Sequence, residues 1–398
     1  MKNNAYITNY WHCSNYGADL TAYALYTIIK ELGINVNLVN LMSETEQIRY
    51  DNFYAHKHFI EKHCTCTKPL RNYENLCGIN KNAVFITGSD QVFRKKLEPE
   101  KFSSLMLDYA DESCCKIALS ASFGVSKEVF LKENSLEDIE KMRASLNSFD
   151  FISVRETDGI EILKDIFGIK AEYLIDPVYI LNKKHFDDAA ETSKTDFSGK
   201  IASYMFYETE EHKKAYEFLS KKYNAEIESI YGKNMRIEDW LKAVKSSKFL
   251  ITNSFHGMSA AVIFNKPFIC IQDKTGASSR FESVFKVLGI ENQCAGLNDV
   301  YNKDCIFRID YEKVNERIEN ERRKGLELIK KALSSSYEPS GLNGSLKIKY
   351  LEERLQKIEN ENKLPGILKT FIWNRWLEFY YKYLPEPLKN IIRFFRKR

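Results

Sequence analysis

The sequence is poor in the features that mark specialised protein classes. It has no internal repeat, low-complexity run or collagen-like period, so fibrous and repeat architectures are excluded. No long apolar core follows Met1-Lys2-Asn3-Asn4, and a secretory signal is not expected. The expected location is therefore the cytoplasm, where the nine scattered cysteines are thiols. Cys64-x-Cys66 and Cys114-Cys115 lack the paired CxxC spacing of a zinc site, and no metal is expected. A basic body is missing too. Residues 364–398 hold eight basic and two acidic side chains, a net +6; the whole chain is only +4, which leaves −2 for the rest. Such a distribution excludes a nucleic-acid-binding body and points instead to an acidic surface near the C-terminus.

What is present fits two domains and an extension. The 398 residues exceed one typical domain, and a hydrophobic content of 44% supports sizeable cores. The first half alternates strand and helix patterns: Ala5–Thr8, a helix over about Ala18–Leu32, Val36–Val39, then strands at Ala83–Thr87, Lys116–Ser120 and Phe151–Val154. The pattern restarts at Ile201–Phe206 and continues through a helix at about Glu211–Lys222, a strand at Glu226–Ile230, and a helix at Ile237–Lys245. It ends in the strand Phe249–Thr252, a small-residue helix at Met258–Phe264 and the strand Pro267–Ile271. This alternation predicts α/β lobes with parallel sheets, divided as residues 1–180 and 181–333. Residues 334–398 form a linker, a short coiled-coil-like helix (Ile348, Leu351, Leu355, Ile358) and a basic amphipathic tail.

In parallel sheets ligands gather beyond the carboxyl ends of strands, and that rule selects candidates. His256 follows such an end, where an imidazole can exchange protons near neutral pH and a helix start can bind an anion. Asn253 and Ser254 add short hydrogen-bonding groups there. A helix-capping turn with a structurally satisfied histidine is the plain alternative. Arg155 ends another strand and can clamp an anion bidentately or pair structurally with the adjacent Glu156. Arg280 is an anion clamp or a surface residue. Asp90 is a base, an orienter of a sugar hydroxyl, or a helix cap. Asp176-Pro177 is read as a chain-turning pair.

Taken together, seven ordered motifs resemble the polysaccharide pyruvyltransferase family over about residues 7–290. They are Asn15-Tyr16-Gly17 with Ala22-Tyr23-Ala24-Leu25, Gly88-Ser89-Asp90-Gln91-Val92, Ala121-Ser122-Phe123-Gly124, Ser153-Val154-Arg155-Glu156, Asp176-Pro177, Asn253-Ser254-Phe255-His256-Gly257 and Lys266-Pro267-Phe268. The resemblance implies two Rossmann-like lobes of glycosyltransferase-B type with a helical C-terminal extension. It also implies phosphoenolpyruvate as donor substrate, no cofactor, and a cyclic pyruvate ketal as product. His256 matches the family's motif histidine and Arg155 its arginine after the strand. On this reading His256 and Asp90 are catalytic, while Asn15, Tyr16, Gly17, Ser122, Arg155, Asn253, Ser254 and Arg280 bind substrate. Phe93 stands where the family often has tryptophan, and Trp11-His12-Cys13-Ser14 departs from its pattern, so the resemblance does not extend to the acceptor pocket.

The implied acceptor is a sugar of a surface polysaccharide or its lipid-linked precursor, and a homo-oligomer is compatible with the coiled-coil segment. The tail places Leu368, Ile372, Trp376, Phe379 and Tyr383 on one face and Arg375, Glu378 and Lys382 on the other. It suits either an anionic membrane, on the inner face of the cytoplasmic membrane, or packing against the lobes. Three rival functions stay open: a nucleotide-sugar glycosyltransferase of similar shape, a non-catalytic scaffold in polysaccharide assembly, and nucleophilic catalysis by Cys13 beside His12.

Overall fold

The apolar segments pair into two separate, wholly parallel sheets. The computed structural model describes residues 3–12, 15–53, 55–70, 83–110, 114–271, 279–301 and 308–334. The first sheet contains β1 (Asn4–Thr8), β2 (Asn35–Leu38), β3 (Val84–Thr87), β4 (Cys115–Ala121), β5 (Phe151–Val154) and β6 (Glu172–Tyr173). Their spatial order is β2-β1-β3-β4-β5-β6. The second contains β7 (Ile201–Tyr204), β8 (Ile227–Ser229), β9 (Leu250–Thr252), β10 (Phe268–Ile271) and β11 (Cys294–Ala295), ordered β11-β10-β9-β7-β8. Strands β3, β5, β7, β9 and β10 are buried along their whole length, as expected where helices cover both faces.

Strand order decides where ligands can enter. In the first sheet the chain steps outward from β1 to β2, then returns past β1 to β3. In the second it steps from β7 to β8, then returns past β7 to β9. Crevices open at such reversals. The first lies beyond Thr8 and Thr87, and the second beyond Tyr204 and Thr252.

Local caps move several boundaries from their expected places, and the shifts matter. The first long helix runs Tyr16–Glu31, two residues earlier than its apolar pattern suggests, because the Asn15 side chain accepts from the Gly17 N–H. Likewise Ser254 caps the helix Phe255–Ile263, starting it three residues early. His256 therefore occupies the first helical turn rather than the junction before it. Strand β7 ends at Tyr204 instead of Phe206, since the Phe206 N–H leaves the sheet and donates to Asn253 Oδ1 at 2.9 Å. The pairing of β4 with β5 slips between Ala118 and Ala121, where Ser120 adopts a positive φ of 51°. That slip bends the strand end toward Asp90, which bridges Ala121.

The two lobes share one core. Tyr16 of the first lobe stacks on Trp240 of the second, with centroids 5.0 Å apart, and its hydroxyl donates to the Met235 carbonyl at 3.0 Å. Beneath Tyr16 lies a buried pair, His56 Nδ1 to Asp19 Oδ2 at 2.6 Å. The helix Tyr311–Leu333 carries the chain back, setting Gly325 against Ile180 and Leu174. It is the helical C-terminal part described here; the coiled-coil-like segment and the basic tail lie outside the described residues.

Candidate functional site

Three carboxyl-end loops of the first sheet converge on one guanidinium. Arg155, directly after β5, is 0% exposed. Its Nη1 donates to Asp176 Oδ2 at 2.5 Å and its Nη2 to Asp90 Oδ1 at 3.0 Å. The Ser89 hydroxyl lies 3.0 Å from the same Asp176 oxygen and 3.1 Å from the Ser120 carbonyl. Asp90 is held in place by its own backbone, with φ at 88° and Oδ1 accepting from the Gln91 N–H at 2.9 Å. Both Nη groups of this buried guanidinium are thus paired, while its Nε has no partner among the described residues. Pairing is needed because desolvating the charge alone costs several kcal/mol.

The second lobe brings His256 to this cluster. Its Nε2 lies 3.6 Å from Asp176 Oδ2. The opposite edge of the imidazole faces Gly17, where a Cβ would come within 2.0 Å of Nδ1. Gly257 allows the same helix to lie flat on its sheet, since a Cβ there would meet Thr252 Oγ1 at 2.5 Å and Tyr204 at 2.8 Å. Tyr179, three residues after Asp176, donates to Ser259 Oγ at 2.9 Å and so ties the two segments together. Phe255 then bridges two cations: Arg155 Cζ lies 4.8 Å from its ring centroid and Arg280 Cζ 5.9 Å.

The charges are set by burial and by one another. Burial pushes the Asp176 carboxyl up, but His256 and Arg155 outweigh it and hold it well below the usual range. Burial also opposes ionisation of Asp90, and Arg155, with His256 and Arg280, again wins. Glu156 goes the other way: burial raises it, despite Arg155 and the N–H groups of Phe123 and Gly124, which donate to its Oε1 at 2.7 and 3.3 Å. Arg280 is pushed down to about 10 by burial and by Arg155, and stays a cation at neutral pH.

This geometry redistributes the roles read from the sequence. Gly17, Asp90, Arg155, His256 and Arg280 come together, with Asn253 and Ser254 leading into the His256 helix. Asp176 is more than a turn: Oδ1 caps the Val178 N–H at 3.1 Å while Oδ2 serves Arg155, Ser89 and His256. Its only local signal was the Asp-Pro pair. Arg155 pairs with Asp176 and Asp90 rather than Glu156, and both its Nη atoms are committed, so it organises the site. Arg280 is partly exposed, its Nε has no hydrogen-bond partner among the described residues, and no described carboxylate pairs with it. It is the guanidinium on offer to an anion. Ser122 is enclosed beside Glu156, its carbonyl accepting the Phe93 N–H at 3.1 Å. Asn15 is a helix cap at the rim, and Tyr16 is taken up by the packing between lobes. Among the described residues no cluster of three or more His, Cys, Asp or Glu could hold a metal.

Two parallel-sheet lobes with an ionic cluster at their facing strand ends define a two-domain α/β fold of glycosyltransferase-B type. The polysaccharide pyruvyl transferase family model matches residues 15–274, and the chain belongs to that family of transferases. Among solved structures, a putative UDP-N-acetylglucosamine 2-epimerase from Listeria monocytogenes aligns with a TM-score of 0.51 at 9% identity, covering 85% of this chain and 98% of that one. The S. aureus MnaA–UDP co-structure aligns at 0.48 and 11% identity, covering 83% and 95%. The first likeness bears on fold alone. No curated protein matches the sequence.

Proposed function

We propose that this chain transfers the pyruvyl group of phosphoenolpyruvate to two hydroxyls of a sugar, forming a cyclic ketal. The observation that carries this reading is the placing of His256, backed by the Asp176 carboxylate at 3.6 Å, beside the cation Arg280 across one aromatic ring. A proton donor next to an anion clamp is what the donor requires.

The chemistry runs as follows. A proton delivered to the methylene carbon of phosphoenolpyruvate makes C3 a methyl group and C2 an oxocarbenium-like centre. One sugar hydroxyl adds to C2, the C2–O bond to phosphate breaks, and the second hydroxyl closes the ring. Two hydroxyl protons are released: one replaces the proton given to C3, and the other leaves with phosphate. His256 is the acid and base for these transfers. Asp176 orients the imidazole through the contact at 3.6 Å. Arg280, with the first turn of the Phe255–Ile263 helix, holds the donor's anionic groups and stabilises departing phosphate. Arg155 keeps Asp90 and Asp176 in position, and Asp90 orients the acceptor with the Asn15–Gly17 segment.

Thermal shift and calorimetry with phosphoenolpyruvate against UDP- and GDP-sugars test the donor. Stabilisation by phosphoenolpyruvate alone, weakened at least tenfold in Arg280→Ala, is the expected outcome. Selective binding of a nucleotide sugar would overturn the assignment in favour of glycosyl transfer. Among the described residues no helix is long and apolar enough to cross a membrane. The +6 segment 364–398 is assigned, on composition, to an anionic membrane surface where a lipid-linked acceptor would reside. Equal pelleting with acidic vesicles when residues 364–398 are removed would defeat that assignment.

A further inference from the structure

The crevice of the second sheet, at the ends of β7 and β9, carries a feature that the mechanism above leaves unused. Phe206 and Tyr231 follow β7 and β8 at the carboxyl edge, and both are large aromatics left in solvent, at 41% and 46% exposure. They are not loosely placed. Their ring centroids lie 5.7 Å apart with planes at 74°, forming a two-walled corner. Buried Tyr204 backs both, at 5.5 Å from Phe206 and 5.9 Å from Tyr231, and is itself packed on Trp240 at 5.2 Å. Exposed aromatics on a rigid base at a ligand-binding edge are costly to leave in water and suggest a partner surface.

A second observation points the same way. The Phe206 N–H is bonded to Asn253 Oδ1, which fixes the orientation of the Asn253 amide. The other end of that amide, Nδ2, is buried and has no acceptor among the described residues. An orphan donor of this kind costs about 1–3 kcal/mol unless a ligand satisfies it. Asn253 lies three residues before His256, so the corner adjoins the reaction centre.

We propose that Phe206, Tyr231 and Asn253 form the subsite for the acceptor, and that its occupant is a pyranose ring. A pyranose presents apolar C–H faces to aromatic walls and hydroxyl oxygens as acceptors for Nδ2. Its puckered outline fits a corner set at 74°, whereas a planar nucleobase would stack on one wall. This subsite rests on the reading of the chain as a sugar-modifying transferase, and Phe206 and Tyr231 act as positioning residues that set acceptor specificity.

The test uses saturation-transfer NMR on the full chain with methyl α- and β-pyranosides of gluco, galacto, manno and N-acetylgluco configuration. UDP and phosphoenolpyruvate are measured in parallel by thermal shift. Both side chains are exposed and the Phe206 backbone bond survives truncation, so the Phe206→Ala/Tyr231→Ala variant is expected to fold. At least one pyranoside should receive saturation, most strongly at its ring C–H protons, and the variant should reduce this at least tenfold with the phosphoenolpyruvate shift unchanged. Absence of any pyranoside signal on the wild type, or an equal signal on the variant, would overturn the subsite. So would UDP binding lost in the variant, which would make the corner a nucleobase site. Loss of the pyranoside signal in a protein that never binds phosphoenolpyruvate would keep the subsite and remove the pyruvyl donor instead.

Discussion

Gly17 and His256, from opposite lobes, are in direct contact: a methyl group on Gly17 would sit 2.0 Å from the imidazole Nδ1, 2.4 Å from Cγ and 2.7 Å from Cβ. The clash reaches the root of the side chain, so rotating the ring cannot relieve it. Gly17→Ala must therefore displace His256 or part the lobes. We expect a loss of about 1–3 kcal/mol in stability, typical of overpacking, alongside a drop in turnover of about a hundredfold. Thermal unfolding and rate measured on the same preparation check this; wild-type turnover would show that His256 need not sit where it does.

Replacing His256 itself separates binding from chemistry. Anion binding is assigned to Arg280 and the helix terminus, so His256→Ala should keep its phosphoenolpyruvate thermal shift. Its rate of phosphate release should fall by about 10²–10⁴, the range for a lost acid–base group. A folded variant with normal release of phosphate would end the assignment.

Asp176 is expected to matter for folding as much as for activity. Asp176→Asn removes one partner from a fully buried guanidinium, a change that costs about 3–5 kcal/mol. The pH dependence follows from the sign of its shift. Its carboxyl is held below the ordinary value of 3.8, so the unfolded chain takes up the proton first as pH falls. The stabilisation is fully present above that ordinary value and is lost as pH drops through the lower, folded one. Denaturant unfolding below about pH 4 should show this loss in the wild type and a flatter profile in Asp176→Asn.

Glu156 should give the opposite slope. Its folded value is raised, so its contribution is complete below the ordinary value of 4.5 and is lost as pH rises through the raised one. Gln in its place keeps an oxygen for the Phe123 and Gly124 N–H groups without a titrating proton. The stability difference between Glu156→Gln and wild type should grow in the variant's favour as pH rises above 4.5. A difference constant between pH 4 and 8, to within about 0.3 kcal/mol, would refute it.

Much of this was legible from residue order because it depends on short-range periodicity and capping. Alternating apolar segments marked the strands, the strand-end rule drew attention to Asp90, Arg155 and His256, and seven motifs identified the family. The errors at helix starts were also local: Asn15 and Ser254 are capping residues, and reading them as such would have moved both helices to their observed origins.

Tertiary structure alone decided how those residues divide the work. Asp176 meets Ser89 across 87 positions of chain and Arg155 across 21, and no periodicity spans such distances. Whether Arg155 faces solvent or a buried carboxylate pair depends on which strand ends the sheet order brings together. Tyr16 turned inward because Trp240 and the Met235 carbonyl stand opposite it in the other lobe. Phe206 read as an ordinary strand residue and Tyr231 as the residue just past a strand, until β7 and β8 ended at Tyr204 and Ser229 and left both rings in water. The sequence by itself determined the elements, their caps and the chemical kinds of group at their ends. Burial and partner choice were settled only when the two lobes came together, since desolvation and ion pairing act through space and not along the chain.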